Sequence, residues 1–117
     1  LVGEAAPDGT VFTMEGETVL LSSFFGKGDS SLLVLNFGSY TCPHHRKRID
    51  ELHSLMEKWS IKGVRFLTVY TAEAHAEDGW KLIHRYDNDA EYSNEEDFCF
   101  FQAKNIDERR KMAEWLI

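Results

Sequence analysis

Two apolar runs set the frame for this chain. LLVLNF (32–37) carries no alternation of apolar and polar residues, the pattern of a strand covered on both faces. VRFLTVY (64–70) reads as a second strand. Between them Ile49, Leu52, Met56 and Trp59 recur at intervals of three, four and three, which is one face of a helix. Thr41 is placed to cap that helix, Pro43 fits its first turn and Gly63 stops it. Strand, helix, strand implies a right-handed βαβ unit with a parallel sheet. The expected class is therefore α/β.

The flanks add smaller pieces. APDGTVFTMEGETVLLSSFF (6–25) has turn signals at Asp8-Gly9 and at Glu15-Gly16-Glu17, with short β-rich runs around the second. That predicts an N-terminal hairpin. GKGDSS (26–31) and AEAHAEDGW (72–80) read as loops, and HRYDNDAEYSNEED (84–97) as a polar, mostly acidic insertion. Asn105, with Glu108 three residues on, forms a capping-box pattern for a second helix. Ile106, Arg109 or Arg110, Ala113 and Leu116 or Ile117 share one side of it. A length of 117 residues with 43% hydrophobic content suits one domain, 1–117, with a core. An open α/β sheet normally adds strands after this point, so the reading is of a very small fold or of a sequence that stops early. Leu1 in place of an initiating methionine points to an excised piece.

Charge and cysteine usage exclude several functions. A formal net charge of −7 argues against a general nucleic-acid binder, which needs a basic face. No apolar run approaches the roughly 18 residues that span a bilayer, so membrane attachment is expected only through a segment absent from this chain. Two cysteines far apart, Cys42 and Cys99, are no disulfide framework and fit a domain facing a reducing compartment.

Cys42 directly follows the first strand, at the start of a helix and at the carboxyl end of a parallel sheet, where ligand sites of such sheets lie. Unpaired N–H groups, the helix dipole and the basic Arg46, Lys47 and Arg48 all favour thiolate over thiol. Such surroundings bring a cysteine pKa from about 8.5 into a range of roughly 3.5–7.5, and the thiolate is the attacking species. The alternative is an inert, buried cysteine at a helix cap. A dithiol oxidoreductase needs Cys-x-x-Cys, but the fourth position here is His45. Cys42 therefore acts alone or with a distant thiol. Cys99, among Phe98, Phe100 and Phe101, reads as core. His44, His45, His53, His75 and His84 include no pair at the i, i+4 spacing of a helical metal site, so no metal is expected. Glu73 and His75 lie two apart just beyond the second strand, on the edge that carries Cys42. A histidine there suits proton donation or anion binding, with Glu73 orienting it. A solvated loop histidine is the equal alternative.

LVLNFGSYTCP (33–43) and VYTAEAHAEDGW (69–80) together resemble the two signature segments of the iodothyronine deiodinases. QAKNIDERRKMA (102–113) is more weakly similar to a helix start in that family, and the N-terminal hairpin to openings in deiodinases and peroxiredoxin-like proteins. The resemblance implies a thioredoxin-like, peroxiredoxin-related fold, here truncated at its C-terminus. It also implies a thiol-dependent oxidoreductase that removes iodine reductively from iodothyronines or a related iodinated aromatic. External thiols serve as reductant and no cofactor is needed. By position, Cys42 matches the family's selenocysteine, Glu73 and His75 its acid–base and substrate-binding pair, and Ser39, Thr41 and Tyr70 residues lining the nucleophile's pocket. A homodimer with an N-terminal membrane anchor is implied too. The departures are sulfur for selenium, Tyr40 where some members have an auxiliary cysteine, and Ala103 where the family has a histidine. Stretch 84–97 has no counterpart, and a substrate-clamping basic residue falls beyond Ile117. Two other functions fit the residues: a one-cysteine thiol peroxidase and a non-catalytic thioredoxin-like interaction module.

Overall fold

The computed structural model describes residues 2–25, 32–80 and 100–116. The predicted hairpin is present. β1 (Thr10–Phe12) and β2 (Thr18–Leu20) pair antiparallel, with Val11 opposite Val19. In its loop, Thr13 N–H donates to the Glu17 carbonyl at 2.9 Å and Gly16 N–H to the Thr13 carbonyl at 3.0 Å. Gly16 has φ of 89°, a left-handed value that glycine adopts without steric penalty. Asp8 ties the hairpin's open end. Its carboxylate accepts from Ser22 N–H at 2.9 Å and Ser22 Oγ–H at 2.6 Å, where a short 3-10 helix (Leu21–Phe24) leaves β2. The Ser22 bonds hold the Asp8 carboxyl below its usual pKa range.

β3 (Leu33–Gly38) and β4 (Arg65–Tyr70) pair parallel, with Leu33 level with Arg65 and Gly38 level with Tyr70. Both strands thus end at one edge, and the chain leaves each of them there. The helical connection between them is not one helix. α1 (Pro43–Lys47) and α2 (Ile49–Ser60) are separated at Arg48, whose φ of −107° and ψ of 4° lie in the bridge region. α1 stays at the strand end, with the His45 ring lying where a Cβ on Gly38 would stand. α2 packs on β4. The change of direction is taken up at Arg48. Thr41 does not cap the helix. Cys42 is the N-cap residue, Pro43 opens the first turn, and the Thr41 hydroxyl is used elsewhere. Gly63 ends the helix as expected. It has φ of 80°, Gly63 N–H reaches the Ser60 carbonyl at 3.0 Å, and Val64 N–H reaches that of Trp59 at 3.2 Å, a Schellman closure.

Full coverage of β3 does not hold. Val34 is 40% exposed and Phe37 58% exposed, and residues three apart on a strand face opposite ways. Among the described residues this sheet has two strands with α2 against them, too narrow to cover both faces. On the helix, Ile49, Leu52 and Met56 are half-buried, whereas Trp59 is exposed beneath the Lys62 ammonium, 4.4 Å from its ring centroid.

α3 (Ile106–Glu114) starts at Asn105, whose side-chain oxygen accepts from Glu108 N–H at 2.9 Å. Glu108 answers through Lys104 N–H at 2.8 Å and the Asn105 amide at 2.9 Å, a capping box shifted by one residue. Ala113 is buried, and Ile106, Arg109, Arg110 and Leu116 are half-buried on its side, as the spacing implies. Arg110 carries the helix to the hairpin, its Nε–H donating to the Met14 carbonyl at 2.6 Å. The acidic stretch 84–97, His84, Phe98, Cys99 and Ile117 lie outside the described residues. Asn105→Ala is expected to lower unfolding stability by about 1 kcal/mol, read as a lower urea midpoint at unchanged slope.

Candidate active site

Glu73 leaves β4 two residues after Thr71, whose N–H donates to the Gly38 carbonyl at 2.9 Å and so extends the pairing past the strand end. This turns Glu73 inward, where it is 5% exposed. A buried carboxylate must be hydrogen-bonded. Thr41 supplies its N–H at 2.8 Å and its hydroxyl at 2.6 Å to Oε2, and Tyr70 donates its phenol hydroxyl to Oε1. Tyr70 Oη also accepts from Tyr40 N–H at 3.2 Å. Burial, and then the bond to Glu73, push the Tyr70 phenol well above its usual pKa, so it stays a donor.

The network continues into the other loop. Thr41 Oγ1 accepts from His75 N–H at 3.0 Å, and Ser39 Oγ accepts from Ala74 N–H at 3.1 Å. Ser39 and Thr41 are 1% and 4% exposed. Cys42 follows directly, half-buried with a free thiol, its N–H donating to the Ser39 carbonyl at 3.2 Å. Five of the six predicted residues, Ser39, Thr41, Tyr70, Glu73 and His75, thus share one hydrogen-bonded assembly, and Cys42 is held at its rim.

Glu73 does not orient the His75 ring, contrary to expectation. Its oxygens are taken by Thr41 and Tyr70, and it reaches His75 only through Thr41 and the His75 backbone. The ring's partner is the Trp80 carbonyl, 3.0 Å from Nδ1, with the Trp80 indole 5.5 Å away. A carbonyl only accepts, which assigns the proton of neutral His75 to Nδ1. Nor does the basic run simply surround the thiol. Arg46 donates to the Tyr40 carbonyl at 2.9 Å and lies over the Tyr40 ring, and His45 packs on Gly38.

Residues the sequence reading missed complete the site. Gln102 Oε1 accepts from Glu73 N–H at 3.0 Å, and its Nε2–H donates to the Glu73 carbonyl at 2.6 Å. Gln102 N–H in turn donates to Asp78 Oδ1 at 2.8 Å, and Glu77 N–H to the Phe100 carbonyl at 2.8 Å. No local pattern marks such pairings, because they join segments more than twenty residues apart. An open cavity of about 980 Å³ lies between the hairpin, α2, β4 and α3. Of the six site residues Tyr70 alone lines it, so this hollow belongs to the apolar faces of the helices rather than to Cys42. Among the described residues no three His, Cys, Asp or Glu side chains gather to hold a metal ion, and no helix is long and apolar enough to cross a membrane.

A family model described as iodothyronine deiodinase matches residues 1–113. The chain belongs to the iodothyronine deiodinase family. The thyroxine 5-deiodinase of Aquarana catesbeiana is 39% identical over 79 residues, covering 68% of this chain and 29% of that protein. That of Gallus gallus is 36% identical over 92 residues, covering 79% and 33%. The type II iodothyronine deiodinase of Neoceratodus forsteri is 34% identical over 90 residues, covering 68% and 33%. The chain spans about a third of the length of these relatives. All six candidate residues fall inside the stretch matched by the deiodinase model.

Two outcomes follow from this geometry. Thr41→Val removes one donor from buried Glu73 and the acceptor for His75 N–H, and is expected to cost about 2–3 kcal/mol in urea unfolding, with Thr41→Ser restoring most of it. Equal midpoints for Thr41→Val and the unchanged protein would show that the Thr41 hydroxyl contributes nothing to the stability of the assembly. His45 supplies a pH dependence, because burial lowers its pKa in the folded state. Below its unfolded value of about 6.5 the unfolded chain binds more protons, so stability falls as pH drops through that value. Urea midpoints of His45→Gln are expected to decline less than those of the unchanged protein between pH 7.5 and 5.5.

Proposed function

We propose that this chain carries the nucleophile-bearing part of a reductive deiodinase site on a thioredoxin-like β3–α–β4 core, acting on iodothyronines or a related iodinated aromatic. The observation that carries the reading is the position of Cys42 at the rim of the Ser39–Thr41–Tyr70–Glu73–His75 assembly, in a chain of the deiodinase family.

In this reading the Cys42 thiolate attacks iodine. The S–I bond forms, the C–I bond breaks, and the ring carbon takes a proton. His75 delivers that proton from its imidazolium form, since Nδ1 is committed to the Trp80 carbonyl and neutral Nε2 carries a lone pair. An external thiol then displaces iodide from the sulfenyl iodide to give a mixed disulfide, and a second thiol releases Cys42 as thiol. No cofactor enters.

The test is iodide release from thyroxine with excess dithiothreitol. The unchanged protein is expected to release iodide, and Cys42→Ser to lose at least 100-fold of that rate. A folded protein that releases no iodide but consumes hydrogen peroxide through Cys42 would replace this reading with the one-cysteine peroxidase.

A further inference from the structure

Gln102 is not among the six candidate residues, although it opens QAKNIDERRKMA, the segment more weakly similar to the family. Yet its side-chain amide engages both backbone groups of Glu73, accepting from the N–H at 3.0 Å and donating to the carbonyl at 2.6 Å. That is the pattern a neighbouring strand would offer, supplied by one side chain at the point where β4 has ended. The glutamine is itself anchored, its own N–H held by Asp78 Oδ1 at 2.8 Å. Asp78 belongs to the loop that carries Glu73 and His75, so the two segments grip each other at 73 and at 78. The carboxylate so fixed is the one that holds Thr41, and Thr41 holds both the backbone of His75 and the approach to Cys42.

From this we infer that Gln102 is the positioning residue of the site. It sets the direction of the Glu73 main chain, and through Glu73 and Thr41 the relative placement of His75 and Cys42. It contacts neither the thiol nor the imidazole in this role. The inference rests on the proposed reaction for its kinetic readout, but not for its structural one. Misplacement by about 1 Å costs up to about 100-fold in rate.

Gln102→Leu and Gln102→Glu separate this role from packing. Leucine keeps bulk and loses both bonds. Glutamate accepts from the Glu73 N–H in either form, but donates to the Glu73 carbonyl only when protonated, so it regains the glutamine pattern as pH falls. The measured quantity is the rate of iodide release from thyroxine, relative to the unchanged protein at each pH from 8 to 5. The expectation is a kcat at least tenfold lower for Gln102→Leu at every pH. For Gln102→Glu, the deficit should close toward acid pH. Amide hydrogen exchange at Glu73 should be at least tenfold faster in Gln102→Leu, and this arm is read on the folded protein without substrate. Variants with unchanged kcat, or a Gln102→Glu deficit that does not depend on pH, overturn the inference. If the unchanged protein releases no iodide, the proposed reaction fails. The positioning role then stands or falls on the exchange rate at Glu73 alone.

Discussion

A carboxylate that is 5% exposed needs donors, and the arrangement of this molecule follows from where Glu73 finds them. Two come from Thr41, at the end of one strand's exit, and one from Tyr70, at the end of the other strand. A single buried group therefore ties two loops that diverge from a sheet of two strands. Two further bonds join the same loops, Ala74 N–H to Ser39 Oγ and His75 N–H to Thr41 Oγ1. The Thr41 hydroxyl serves twice, as donor to Glu73 and as acceptor for His75 N–H, so the placement of histidine and carboxylate is one problem with one solution. Tyr70, kept protonated by burial and by the bond it makes, completes the set without adding a second charge.

The parallel register makes this possible. Because Gly38 is level with Tyr70, both chains leave the sheet at the same height. Residues a few positions beyond each strand then meet without a long reach. The His45 ring occupies the space beside Gly38, so the first helical turn is seated on the strand end itself and Cys42 enters that turn as its cap residue. Cysteine position is thus set from below by a steric fit and from the side by Thr41.

Most elements were legible in the sequence because their signals are local. The hairpin turns, the stop at Gly63, Pro43 in a first turn and the Asn105–Glu108 pairing depend on residues within a few positions of each other. The six candidate residues come from two short segments and the resemblance they carry, and what the structure adds is that Ser39, Thr41, Tyr70, Glu73 and His75 share one assembly beside Cys42. What was not legible is non-local. The helix break at Arg48 arises because α1 belongs to the strand end and α2 to β4, a division that periodicity of apolar residues does not record. Thr41 was read as a cap because a capping threonine and one bonded to a distant carboxylate look alike in sequence. Gln102 has no local signature, its partner lying 29 positions away. Coverage of β3 was overestimated because an unbroken apolar run reports what a strand avoids, and not how wide its sheet is.

Arg110 gives the fold a temporal order. Its guanidinium closes on the Met14 carbonyl across 96 positions of chain. During synthesis at about 5–20 residues per second, the hairpin exists for roughly 5–20 s before that partner is made. Through that interval the turn at Glu15 and Gly16 has only its own short pairing to hold it, and a two-stranded hairpin alone is marginal in water. The hairpin therefore remains a marginal ribbon until α3 is made, and Phe12 and Leu20 stay 52% and 53% exposed even after that closure.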